Sequence, residues 1–252
     1  MWHGEYRDPR LVEVYDAEHI WGWEDDFFMR VLADRTAPRV LDLGCGTGRL
    51  AIAVAEAGHE VTAVDPARAS LDAARRRPGA ARVRWIEGSF ETLPPRSFDA
   101  ALMTGHVSEL LVTDEEWAGA LRALRECLVT DGRLILDSRD PAAQPWERWT
   151  RESTERSIVL ADGSAVQAWT ESAKAGPGET YSVVHHYLFP EGLELTSTAV
   201  HRFRDEDQLR ESLRAAGFRV DELYGGWSRE PAGLSGDGEL IVIAVAEPRM
   251  AS

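Results

Sequence analysis

Residues 39 to 48 read Arg-Val-Leu-Asp-Leu-Gly-Cys-Gly-Thr-Gly, an apolar strand that runs into three glycines at alternate positions, and Asp65 follows 21 residues after the first of them. Gly44, Gly46 and Gly48 allow a sharp turn and a close approach of backbone to a ligand, since a Cβ there would strike the ligand or forbid the φ angle. Asp65 closes the next apolar stretch, Glu60 to Val64, where a carboxylate can accept from both hydroxyls of a ribose. An adenosine-bearing ligand is therefore expected. A dinucleotide turn, G-x-G-x-x-G, would place its third glycine at position 49, which is Arg49. With less room for a pyrophosphate, S-adenosylmethionine (SAM) is favoured over a nicotinamide dinucleotide.

Working outward, Leu50 to Ala57 reads as an apolar helix closed by Gly58, with its positive N-terminal end toward the glycine turn. Strands at about 39–43, 60–64, 82–87, 98–103 and 133–137 alternate with helical patterns, the signature of parallel βαβ units. Thr113 to Glu116 forms a capping box, and Trp117, Leu121, Leu124 and Leu128 recur at helical spacing, so a helix is expected to run to Asp131-Gly132. From residue 152 the period drops to two. Strands at about 154–160, 165–172, 180–189 and 193–203 are separated by Asp162-Gly163, Gly176-Pro177-Gly178 and Pro190-Glu191-Gly192, which predicts an antiparallel meander. A helix at 205–216, a strand at 220–223, a Gly-rich loop at 225–238 and a strand at 239–246 return the chain to the first sheet.

Composition excludes several classes of function. The 252 residues carry 28 Lys+Arg against 43 Asp+Glu, a net charge of −15, which disfavours a nucleic-acid partner. No run of 18 apolar residues occurs, and the first residues lack the basic and apolar regions of a secretion signal, so no membrane association and a cytoplasmic location are expected. Two cysteines, Cys45 and Cys127, have neither metal-ligand nor disulfide spacing. The tetrapeptide Thr104-Gly-His-Val107 after the fourth strand is unlike the Asp/Asn-Pro-Pro-aromatic sequence of DNA methylation enzymes.

Val40 to Gly48, the acidic strand end at Asp65, Phe98-Asp99 opening the fourth strand, and Leu213-Arg-Ala-Ala-Gly-Phe218 together resemble the class I SAM-dependent methyltransferases over about residues 30–140 and 203–246. The resemblance implies an α/β fold with a seven-stranded Rossmann-like sheet, its last strand antiparallel, and helices on both faces. Residues 1–150 and 204–252 would form the SAM-binding core, 1–36 a helical cap, and 151–203 an inserted antiparallel lid or dimerisation subdomain. Gly44, Cys45, Gly46 and Gly48 would flank the methionine end of SAM, and Asp42 would orient the turn through backbone amides. Asp65 and Pro66 would hold the ribose, Ser89 and Phe90 would border the adenine, and Thr104 would complete the set. Gly88-Ser89 stands where Gly-Asp is frequent in the family, so Ser89 offers a hydroxyl in place of a carboxylate.

Methyl transfer is an in-line displacement at an activated carbon, so the protein mainly supplies alignment, and a general base is optional. Ligands of open α/β sheets sit beyond the carboxyl ends of the strands, which makes His106 the expected base and places Arg139 and Asp140 to orient a charged acceptor. No metal is expected, although Asp137 and Asp140 are two acids three apart. By the resemblance, Tyr15 would shield the sulfonium, and the aromatic N-terminus, with Trp21, would close over the cofactor. In the meander, Tyr181, Val183, His185, Tyr187 and Phe189 share one face and Val184, His186 and Leu188 the other; the inner face could roof the acceptor with Trp146 and Trp149, or form a homodimer contact. The expected activity is methyl transfer to oxygen or nitrogen of a small molecule, the alternatives being α-N-methylation of a peptide terminus and SAM binding without transfer.

Overall fold

The computed structural model describes residues 4–33, 38–95, 97–233 and 238–248. Part of the expected cap (1–3 and 34–36), part of the Gly-rich loop (234–237) and the last residues (249–252) lie outside the described residues. The chain opens with helices α1 (Gly4–Arg7), α2 (Pro9–Glu18) and α3 (Trp23–Ala33). Then β1 (Arg39–Leu43), α4 (Arg49–Glu56), β2 (Glu60–Asp65), α5 (Arg68–Arg76), β3 (Val83–Glu87), β4 (Phe98–Met103), α6 (Asp114–Cys127) and β5 (Leu128–Arg139) alternate. A short helix, α7 (Arg151–Thr154), leads into β6 (Arg156–Val159), β7 (Ala165–Lys174), β8 (Thr180–Leu188) and β9 (Glu194–Arg202). Helix α8 (Glu206–Ala215), β10 (Phe218–Tyr224) and β11 (Glu239–Ala246) complete the order.

Two sheets result. The larger runs β10-β11-β5-β4-β1-β2-β3, with β11 antiparallel to both neighbours and the other pairs parallel. Its strands are buried on both faces, which explains their nearly unbroken apolar sequences. Alternate residues serve opposite layers: Val40, Ala100, Leu102 and Ile135 pack under α3 and α4, whereas Leu41, Leu43, Ala101, Leu134 and Leu136 pack under α6 and α8. The smaller sheet, β6-β7-β8-β9, is the expected meander. Its inner face receives Leu11 and Val14 of α2 against Ile158, Val166, Ala168, Tyr187 and Phe189, so the N-terminal helix fastens the insertion to the core.

Helix α6 ends earlier than its periodicity predicts. Leu128 caps it by donating its amide to Leu124 O, and the chain enters β5 at once, bending at Asp131 (φ 61°) and Gly132. Tertiary pairing with β4 takes the last turn that local pattern assigned to the helix. Because β11 runs antiparallel, its first residue lies at the carboxyl edge of the parallel strands, with Glu239 opposite Arg139. Among the described residues no helix is long and apolar enough to cross a membrane.

Candidate active site

The carboxyl ends of β1, β4 and β5, the start of β11, helix α2 and the inner face of the meander enclose one cavity of about 480 Å³. Its two ends are built differently. At one end the glycine turn has backbone amides fixed by the protein: Gly44 and Cys45 donate to Val64 O, Gly48 donates to Cys45 O, and Gly46 donates to Asp65 Oδ2 at 2.9 Å. Gly48 has φ 76°, and a Cβ there would lie 2.3 Å from Trp85 Cη2, so packing within the fold excludes a side chain. Gly46 also has positive φ, yet a Cβ there meets nothing within 4 Å, because that side of the turn faces open space. Only the second of these glycines keeps room for a ligand; the first serves the fold.

Asp42 is 2% exposed at the floor of this end, and burial followed by the nearby Asp65 pushes its pKa up to about 7. None of the four loop amides above is donated to it, so the carboxylate that orients the turn is Asp65 rather than Asp42. Asp65 also accepts from Ala67 N at 2.7 Å, and burial raises its pKa against those two bonds. Cys45 lines the cavity, but burial, then Asp42 and Asp65, hold its thiol well above the usual range, so it supplies no thiolate. Arg49 begins α4 and reaches across to the carbonyls of His19 (2.7 Å) and Ile20 and to the carboxylate of Asp25 (3.1 Å). Arg77 makes a second tie, to Asp16 at 2.7 Å and Thr47 Oγ1 at 3.4 Å.

The other end is a network of charged side chains. His106 has φ 63°, its amide donates to Asp137 Oδ2 (2.9 Å), and its Nε2 lies 3.0 Å from Glu239 Oε2 and 3.5 Å from Asp137 Oδ2. Burial and the Arg139 guanidinium push the imidazolium down; Asp137, the bond to Glu239 and Glu109 outweigh them, and the pKa ends above the ordinary histidine value. Burial raises Asp137 to about 6, and its Oδ1 has no hydrogen-bond partner. The ligand atoms of His106, Asp137 and Glu239 lie within 4.8 Å of one another, a spacing within reach of a small cation, but the imidazole is already engaged with both carboxylates. Beside this trio, wholly buried Glu109 accepts from Arg139 N and Nη1 (both 2.8 Å) and lies 2.9 Å from His201 Nδ1. Despite burial, Arg139 and His201 bring Glu109 down to about 2.

Of the residues singled out in the sequence, Tyr15, Asp42, Gly44, Cys45, Gly46, Gly48, Thr104, His106, Arg139, His185 and Tyr187 line this cavity. The Tyr15 ring stacks on His19 at 4.0 Å and meets Tyr6 edge-on. The two adjacent meander histidines part company. His185 faces inward and bonds Thr170 Oγ1 at 3.0 Å, while His186 lies on the outer face between Glu171 and Glu194 and stacks on Trp169.

The remaining site candidates singled out in the sequence lie outside the cavity lining. Trp21 is 43% exposed, donates to Asp26 and does not line the cavity. Trp146 and Trp149 stand one layer behind the wall: Trp146 stacks on Tyr181 at 4.3 Å, and Trp149 lies beneath Arg139 and beside His201. Asp140 caps the following turn by accepting from Ala142 N and is not part of the charged network. Asp65, Pro66, Ser89 and Phe90 also fall outside the lining; Ser89 caps a turn through Glu91 N, and Phe90 packs toward α6. Phe27 and Phe28 are core residues against Trp227.

Three site residues were missed by the sequence reading: Glu109, His201 and Glu239. His201 was detectable, since period two from Ser197 through Ala199 to Phe203 puts it on the buried face of β9. Glu239 required the antiparallel pairing of β11, and Glu109 the turn that follows His106.

Comparison with known proteins agrees with the geometry. A family model described as "Methyltransferase domain" matches residues 40–132, from the first strand to the start of the fifth. The chain is 30% identical over 248 residues to cypemycin N-terminal methyltransferase from a Streptomyces species, covering 94% of this chain and 96% of that protein. It is 35% identical over 192 residues to a ubiquinone/menaquinone biosynthesis C-methyltransferase of Rubrivivax gelatinosus, covering 76% of this chain and 66% of the relative. Among solved structures, the CcbJ methyltransferase of Streptomyces caelestis superposes with a TM-score of 0.71 at 22% identity, over 90% of this chain and 89% of that one. SAM-bound CalS10, an amino pentose methyltransferase of Micromonospora echinaspora, gives 0.67 at 24%, over 90% and 92%. A relative aligned over nearly its whole length, a sheet order shared with solved methyltransferases, and a glycine turn open on its ligand side converge: the chain belongs to the SAM-dependent methyltransferases, with SAM as its cofactor.

Proposed function

We propose that this enzyme methylates the nitrogen of an amine. The observation that carries the reading is the charge at the acceptor end. The cavity wall holds six carboxylates (Glu18, Glu24, Asp25, Asp42, Asp137 and Glu239) and three guanidiniums. Arg49 pairs with Asp25, Arg156 with Glu18, and Arg139 with Glu109, which leaves His106 as the one cation paired with Asp137 and Glu239 among the described residues. Two carboxylates balanced by one imidazolium keep an excess negative charge that suits an alkylammonium and opposes an anionic acceptor.

In this reading Asp65 holds the ribose hydroxyls, the glycine turn cradles the methionine end with Asp42 facing its ammonium, and Ser89 and Phe90 border the adenine. When bound, SAM supplies a methyl group on a sulfonium that is already a good leaving group. The chain's own residues orient the acceptor nitrogen through Asp137 and Glu239, and Tyr15 and Tyr187 wall the path of transfer. The test offers methyl-labelled SAM with paired probes: D-glucosamine against D-glucose, and Ala-Ala-Ala amide against its lactoyl analogue. Label on nitrogen is expected. Transfer to the hydroxyl members and not to the amines overturns the reading.

A second form of the same chemistry has its own support. A relative aligned over nearly the whole chain is named as an N-terminal methyltransferase. In addition, Ile20, Trp21 and Trp23 are exposed where the loop after α2 enters α3, between cavity-lining His19 and Glu24. An apolar edge on an acidic cavity matches a peptide whose amino terminus enters while its side chains remain outside. Preference for the peptide amide over glucosamine distinguishes this form.

A further inference from the structure

Resting on the amine reading, we infer that His201 is the general base of the reaction and that Glu109 is the residue that positions it. An amine that binds to carboxylates arrives as an ammonium and has no lone pair to attack with. One proton must leave before transfer. His106 is ill suited to take it, because its Nε2 donates into Asp137 and Glu239 and the pair of carboxylates favours its protonated form. Its place in the wall is that of a fixed cation that partly neutralises them.

His201 has the complementary arrangement. Glu109 is wholly buried, fully ionised at neutral pH, and as a carboxylate can only accept, so the hydrogen of neutral His201 resides on Nδ1. The lone pair is then on Nε2, which bonds to nothing among the described residues, in a side chain that lines the cavity. This is the orientation logic of a carboxylate-held histidine: the acid fixes the tautomer and stabilises the imidazolium once the proton arrives. Arg139 accepts none of that duty, since its guanidinium is committed to Glu109. Among the described residues, His201 meets Glu109 through Nδ1, the rings of Trp149 and Phe203, and Tyr181 opposite on β8. The base thus comes from the inserted meander, and the acceptor-binding carboxylates come from the main sheet.

The step balances. The ammonium N–H proton passes to His201 Nε2; the freed lone pair forms the N–C bond as the C–S bond breaks, with its electron pair going to sulfur. The products are the methylated ammonium, S-adenosylhomocysteine and a protonated His201 that returns its proton to solvent.

Two measurements test this. With D-glucosamine and Ala-Ala-Ala amide as acceptors, His201→Ala is expected to bind S-adenosylhomocysteine as the parent does, yet to lose about 10²-fold to 10⁴-fold in turnover at pH 7. Its residual rate should climb with pH as the amine deprotonates unaided, and added imidazole should restore part of it. Glu109→Gln should show a weaker form of the same pH shift, and His106→Ala should raise KM while leaving the profile of the parent. Turnover of His201→Ala within threefold of the parent, or the altered profile in His106→Ala instead, overturns the assignment. Independently of any acceptor, nitrogen NMR of the S-adenosylhomocysteine complex should show neutral His201 carrying its hydrogen on Nδ1; the opposite tautomer also overturns it. Label found on hydroxyl probes would defeat the amine reading while leaving the NMR result and the His201 pH profile to decide the base.

Discussion

The two ends of the cavity hold their functional atoms by opposite means. The cofactor end is a local object: ten consecutive residues, glycines at fixed offsets and backbone amides tied to the neighbouring strand supply nearly all of it. The acceptor end is assembled from positions 106, 109, 137, 139, 185, 201 and 239, delivered by both sheets and held by side-chain charge. Backbone geometry tolerates almost no substitution, and its amides and glycine φ angles do not titrate; at that end only the buried carboxylates beneath the turn answer to pH. A charge network tolerates isosteric exchange and answers to every proton. The first arrangement can serve one cofactor across many enzymes, and the second can be rewritten residue by residue for each acceptor.

The sharpest way to break this contrast is Glu109→Ala. Removing a fully buried carboxylate strands Arg139 and His201, and stability should fall by about 3–5 kcal/mol in urea denaturation. The sign against pH follows from its depressed pKa: the contribution of Glu109 is whole above its ordinary 4.5 and disappears as pH falls toward about 2. A loss below about 1 kcal/mol at pH 7 would show that the network is ornamental to folding.

Gly48→Ala tests the other end. The positive φ costs about 1–3 kcal/mol, and the collision with Trp85 adds about as much. Combining it with Trp85→Leu should recover the packing part and leave the backbone part. Full recovery would mean that the φ angle carries no cost.

Asp42→Asn should act in the reverse direction. With a folded pKa near 7 against an ordinary 3.8, ionised Asp42 opposes folding, so stability drains away as pH rises from about 4 to 7. The variant should gain about 1–3 kcal/mol at pH 8 in the ligand-free protein, with no gain at pH 4, and should bind SAM less tightly. Thermal melts at the two pH values decide it; equal effects at both would remove Asp42 from the titration.

Gly46→Ala should be the mildest, at about 1 kcal/mol for the φ alone, because its Cβ meets open space. Its affinity for S-adenosylhomocysteine should nonetheless fall by at least tenfold in calorimetry. Unchanged affinity would place the cofactor elsewhere.

Most of the architecture was legible in the sequence because it rests on short-range signals: apolar runs, glycine stops and a capping box each report on neighbours a few residues away. Helix α6 was extended too far, since Leu128 continues the apolar period but is claimed by pairing with β4. The candidate site was legible in the same proportion. The glycine turn and His106 announce themselves by motif and by position at a strand end. Glu109 and Glu239 do not, because an isolated glutamate in sequence looks solvated until topology buries it. Trp21, Trp146 and Trp149 misled for the converse reason: an aromatic near a site in sequence says nothing of whether it lines the wall or backs it.

Arg49 gives the tie between cap and glycine turn a kinetic meaning. One side chain, rooted in the first turn of α4, holds the carbonyls of His19 and Ile20 and the carboxylate of Asp25. A cofactor that leaves past the cap would meet that grip, so the position that departs from the dinucleotide glycine pattern is placed to act as a latch. Turnover in such an enzyme can be governed by how often the latch lets go, and a change of one residue at the cofactor end would then alter the tempo of chemistry performed at the other.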